Sequence, residues 1–197
     1  MNSKLDLSFY RRKDVVKIAN DLLGKLLITK INGIVTSGRI VETEAYSFIE
    51  RGCHAFKGKT TRNAVMFDRG GVAYVYLCYG IHHLFNIVTN EEEKADAVLI
   101  RALQPMGGEA YMMQRMKTKS LKRITSGPGK LTKALGIDRK MNGIDLIGNQ
   151  VWVEEDDFVI KRGGILKSPR IGIDYAGKDA LLPWRFTMEG NEWISHV

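Results

Sequence analysis

Glu42 and Glu44 stand two residues apart in Gly38-Arg39-Ile40-Val41-Glu42-Thr43-Glu44-Ala45-Tyr46. The polar and apolar types alternate here with the period of a strand. That alternation puts Ile40, Glu42, Glu44 and Tyr46 on one face, about 7 Å apart in steps of two residues. Val41, Thr43 and Ala45 take the other face. A sheet face rarely buries two carboxylates unless a polar site lies over them. The stretch is therefore either the solvent face of an antiparallel sheet or the floor of a site. As a site, two carboxylates at this separation suit the hydrolysis of a glycosidic bond. Two like charges so close raise one pKa unless a cation joins them, and Arg39 or Arg101 could pair with Glu42. Glu42 then reads as a support for the strand.

Other chemistries lack their residues. His54, His82, His83 and His196 form no H-E-x-x-H and no Cys/His ligand spacing, so no metal is expected. There is no G-x-S-x-G, no P-loop and no dinucleotide fingerprint. The two cysteines, Cys53 and Cys78, make no disulfide framework and read as reduced thiols. The N-terminus has no apolar signal region and no run is long enough to span a membrane, so a cytoplasmic chain is expected. A net charge of +8 and a pI of about 9.5 point to a polyanion, nucleic acid foremost.

Charge and carboxylates together suggest the N-glycosidic bond of a nucleotide rather than a sugar polymer. Such an enzyme must flip the nucleotide out of the helix and hold its base between rings. It needs a carboxylate to activate water, cations for phosphates and a wedge for the gap. Residues 44–101 supply each part: Glu44, the rings of Tyr46, His54 and Tyr76, the basic residues of 47–70, and Tyr79 beside Gly80 at a turn.

The elements that must position these residues follow from local signals. Asp14 can cap a helix through Val15–Leu23, with Gly24 to end it. KLLITKI, Asn32-Gly33 and the Glu42 strand read as a hairpin. Residues 47–70 read as a long ordered loop, and 72–90 as two strands joined at Tyr79-Gly80. A third strand carries Arg101 in an apolar run. A methionine-rich helix is expected over 107–125 and a short one over Leu131–Leu135. Strands are expected in VWVEE, FVIKRG and around SPRIGIDYAG, with an edge strand in LPWRFTMEGNEWIS. The fold class is α/β in the α+β sense: one domain over 1–197, a curved and largely antiparallel sheet or barrel flanked by helices, with a protruding hairpin.

LLGKLL, GRIVETEAY, GCHAF, TTRNAVMF, YVYLCYG, the FN of HHLFNIV, LIRALQP, SGPGKL, PRIGI and PWRF occur in this order from about residue 7 to residue 195. In these pieces the chain resembles the alkyladenine (3-methyladenine) DNA glycosylase family. The resemblance implies Glu44 as general base for a water that attacks C1′, with Arg101 orienting it. It implies Tyr46, His54 and Tyr76 as the stacking pocket, and Asn86 on its floor to exclude normal guanine. Tyr79 would be the wedge, while Arg62, Asn63 and Lys130 would hold the DNA backbone or the loop. The substrate would be damaged double-stranded DNA carrying alkylated or deaminated purines. No cofactor, no lyase step and no obligate protein partner are implied. A non-catalytic nucleic-acid-binding module of the same fold is the alternative, and it has no need of Glu44.

Overall fold

The computed structural model describes residues 2–195, so His196 lies outside the described residues. The strands are β1 (Ser3–Lys4), β2 (Leu26–Ile31), β3 (Ile34–Tyr46), β4 (Ala73–Cys78), β5 (His82–Thr89), β6 (Asp96–Gly107), β7 (Val151–Glu155), β8 (Ile165–Ser168) and β9 (Arg185–Met188). The helices are α1 (Leu7–Tyr10), α2 (Val15–Leu22), α3 (Glu109–Met116) and α4 (Pro128–Leu135). The strands form one sheet in the order β1-β7-β2-β3-β6-β5-β4, and β8 and β9 branch from it through β3. Every strand pair is antiparallel. The sheet stays open rather than closing into a barrel.

The long strands β3 and β6 form its spine. The first half of β3 has β2 on its other side, and the second half has β9, with Glu42 opposite Thr187 and Glu44 opposite Arg185. The carboxylates thus lie on a strand paired along both edges. Pairing between β3 and β6 is irregular from Ile40 to Thr43, where Val41 and Arg101 have no opposite number. This break changes one expectation. Ile40 belongs to the apolar core that also holds Ala45, not to the face with the glutamates. A local bulge redirects side chains in a way that strict alternation does not anticipate.

Local signals account for the elements beneath the site. Asp14 accepts a hydrogen bond from the Lys17 amide at 2.9 Å and starts α2. Ile18, Ala19 and Leu22 are buried, and Thr43 of β3 donates to the Ala19 carbonyl at 2.8 Å. Asn32 and Gly33 both take positive φ, the backbone of a tight hairpin turn.

The structure departs from expectation in the second half. α3 stops at Met116 because Lys117 turns left-handed, and Thr118 and Ser120 then bond backbone amides two residues on. α4 starts at Pro128, three residues before the expected Leu131, with proline at the first helical position. FVIKRG is not a strand: Asp156 grips Arg39 and caps the Phe158 amide, and Arg39 lies 4.1 Å over the Phe158 ring. SPRIGIDYAG is not a strand pair either, since its polar groups are used by side chains of β3 and the loop. Asp174–Leu181 is instead two 3-10 turns separated by a kink at Gly177, whose φ is 62°. β9 lies between β3 and β8, so it is no edge strand. No helix among the described residues is long and apolar enough to cross a membrane.

Candidate active site

Glu44 has no exposed surface. Its Oε1 accepts from the Ile171 amide at 2.8 Å and lies 3.3 Å from Arg101 Nη1. Its Oε2 accepts from the Tyr46 hydroxyl at 2.7 Å. A carboxylate has about four lone-pair positions, so one on Oε2 remains for a further donor. Burial pushes the Glu44 pKa up, and Glu42 adds to this. Arg101, the Tyr46 hydroxyl and the Ile171 amide pull it back, but the net direction is upward. Burial and the neighbouring carboxylate also raise the Tyr46 phenol, which stays a donor.

Above this carboxylate opens a cleft of about 850 Å³. Glu44 is not part of its wall, but its hydrogen-bonding neighbours Tyr46 and Ile171 and its ion-pair partner Arg101 are. The wall also holds His54, Arg62, Tyr76, Tyr79, Asn86 and Lys130, so eight of the ten residues singled out in the sequence border one space, and Glu44 bonds to Tyr46 of its wall. The rings are mutually braced. His54 and Tyr76 have centroids 4.7 Å apart, and Tyr76 and Tyr74 lie 5.3 Å apart. His54 Nδ1 is 3.1 Å from the Tyr74 hydroxyl. Burial and Arg62 hold the His54 pKa below its ordinary value, so the ring is neutral at physiological pH. Arg62 lies 5.7 Å over Tyr76 at the cleft wall. Asn86 donates to the Tyr74 carbonyl at 3.2 Å, which fixes the direction of its amide.

Asn63 is the exception. It is 3% exposed, and its side chain bonds Thr60, His54 and Gly58 within the loop. It therefore holds the loop and has no free group to offer DNA. Tyr79 sits at the β4–β5 tip, 90% exposed, with a φ of 50°. Leu77 and Ile81 beside it are exposed too. Lys130 is exposed at the start of α4, where Gly129 packs so closely on His82 that an added Cβ would come within 2.8 Å.

Several site residues escaped the sequence reading. Arg170 is buried and makes a two-pronged pair with Glu50, at 2.6 and 2.9 Å. It also donates to the Ala45 carbonyl, and its guanidinium lies 4.7 Å over the Tyr46 ring. This arginine clamps the 47–70 loop to β3 and backs the Tyr46 ring. Tyr175 lines the cleft and donates to the Gly52 carbonyl at 3.2 Å. Glu42 pairs with Arg101 and Arg185, not with Arg39. Only Tyr74 carried a local signal, its place two residues before Tyr76 on the same face. Arg170, Arg185 and Tyr175 come from far along the chain.

The arrangement combines a buried, partly neutralised carboxylate, a ring-lined cleft and an aromatic tip on a basic chain. A family model described as Methylpurine-DNA glycosylase (MPG) matches residues 8–192. A protein of Carboxydothermus hydrogenoformans named "Putative 3-methyladenine DNA glycosylase" is 45% identical over 97% of this chain and 98% of its own. Proteins of the same name from Methanocella arvoryzae and Chlamydia felis are 45% and 44% identical, over 97% and 92% of this chain and 95% and 94% of theirs. With a family model covering nearly its whole length and relatives this similar from end to end, the chain belongs to the methylpurine-DNA glycosylase family.

Proposed function

We propose that the protein is a monofunctional DNA glycosylase that excises alkylated or deaminated purines, such as 3-methyladenine, hypoxanthine or ethenoadenine, from double-stranded DNA. The observation that carries this is Glu44, buried against Arg101 with one lone pair unused, beneath a ring-lined cleft. Tyr79 enters the duplex and fills the space of the flipped nucleotide. Tyr46, His54 and Tyr76 take the base. Neutral rings suit an alkylated purine, whose positive charge is attracted to the π faces.

Asn86, its amide direction fixed, stands where the exocyclic amino group of normal guanine would meet it. Arg62 and Lys130 face the phosphates. Water held by Glu44 attacks C1′. The C1′–N bond breaks, the base leaves with the bonding pair, and Glu44 takes a proton from the water. A base already cationic needs no further proton to leave. The product is a free base and an abasic site. Lys130 is the one lysine among the described residues that lines the cleft. It is exposed in the first turn of α4, and the partners of Glu44 are Tyr46, Arg101 and the Ile171 amide, which accords with hydrolysis by water instead of a Schiff base.

Duplexes carrying one lesion test this directly. Incubation followed by hot alkali should cut the strand at the lesion, and omission of alkali should leave it intact. Borohydride should trap no covalent complex. No cleavage of any lesion after alkali, with binding retained, would instead favour a non-catalytic binding module.

A further inference from the structure

Arg101 does not give its guanidinium to Glu44 alone. Its Nε donates to Glu42 Oε1 at 2.9 Å, Nη1 faces Glu44 at 3.3 Å, and Nη2 donates to the Ser195 hydroxyl at 3.4 Å. Glu42 has no exposed surface and gathers four donors. They are Arg101 Nε, Arg185 Nε at 2.7 Å, the Ser195 amide at 2.7 Å and the Ser195 hydroxyl at 2.8 Å. Ser195 also borders the cleft. The two carboxylates and two guanidinium groups, Glu42, Glu44, Arg101 and Arg185, balance in formal charge.

A guanidinium facing a single carboxylate settles into a two-pronged pair. Around Glu44 that pairing would cover the lone pair left for water. Here Glu42 holds the Nε edge and Ser195 holds Nη2, so one nitrogen alone meets Glu44. We infer that Ser195, acting with Glu42, is a positioning residue for base excision: it fixes the turn of Arg101 and keeps one side of the Glu44 carboxylate open. The segment that follows β9 is thereby part of the catalytic floor. This inference rests on the proposed glycosylase function.

The test uses the full chain with Ser195→Ala, Ser195→Thr and Glu42→Gln, measured by single-turnover excision and by lesion-duplex affinity. Ser195→Ala should slow excision about tenfold, the scale of one hydrogen bond to a charged group, with affinity unchanged. Ser195→Thr, which keeps the hydroxyl, should restore most of the rate. Glu42→Gln removes the like charge beside Glu44 and frees Arg101 to turn toward it. Both changes lower the Glu44 pKa, so the acid limb of the rate profile should move to lower pH. A Glu42 without electrostatic reach to Glu44 would leave that limb in place. Excision by Ser195→Ala at the wild-type rate, a loss confined to affinity, or an unmoved acid limb would each overturn the inference. A wild-type chain that excises no lesion would overturn the glycosylase reading and this inference with it. An active wild type beside an equally active Ser195→Ala overturns this inference alone.

Discussion

At the scale of single residues, Glu44 and Tyr46 are joined by a 2.7 Å hydrogen bond. Glu44→Gln keeps the size and most hydrogen bonds but cannot take a proton. Excision should fall by about 10²–10⁴-fold, the usual contribution of a general base, while lesion binding persists. Equal loss of both would mark Glu44 as structural. Because the Glu44 pKa is raised, the rate should fall with decreasing pH above the ordinary carboxylate value of 4.5. Tyr46→Phe keeps the ring and removes a hydrogen bond that stabilises the ionised carboxylate. The Glu44 pKa should rise further, so the acid limb should move to higher pH, and an unmoved limb would remove the phenol from the mechanism. The ranking of Glu44 over Glu42 was legible in the sequence only through family resemblance. The geometry supplies a physical ground for it: Glu42 has its donors already, whereas Glu44 keeps a lone pair.

At the scale of elements, the clamp between loop 47–70 and the 169–181 segment depends on one buried pair. Glu50→Ala leaves Arg170 charged, buried and without its carboxylate. Removing one partner of such a pair costs about 3–5 kcal/mol, which urea unfolding would read as a lower midpoint at unchanged slope. Glu50→Gln with Arg170→Met should recover much of the stability but not excision, since the support behind the Tyr46 ring is altered. The elements that were legible in the sequence are those fixed by neighbours in the chain. Asp14 starts α2, Asn32-Gly33 turns a hairpin, and Tyr79-Gly80 marks a tip. The elements that were not legible depend on distant partners. Glu44 takes the Ile171 amide, and Arg170 takes Glu50 and the Ala45 carbonyl, so PRIGI cannot form a ladder. Lys117 ends α3 left-handed although the methionine period continues past it.

For the whole molecule, the net charge of +8 bears on affinity more than on choice of lesion. Duplex binding should weaken linearly in log Kd against log salt. Lys130→Ala should reduce that slope by about one phosphate contact, with the ranking of lesions unchanged. An unaltered slope would place Lys130 off the DNA path. The same fold must also present Tyr79 to solvent, and the backbone there has a consequence for selection. A non-glycine residue at φ 50° costs roughly 1 kcal/mol or more relative to glycine, and a ring 90% exposed recovers little of it through packing. Tyr79→Gly or Tyr79→Asn should therefore leave the melting temperature equal or higher. Any screen that rewards heat resistance alone would discard this tyrosine early. A tyrosine at this tip meets no demand of the fold, as the proposed wedge role would require.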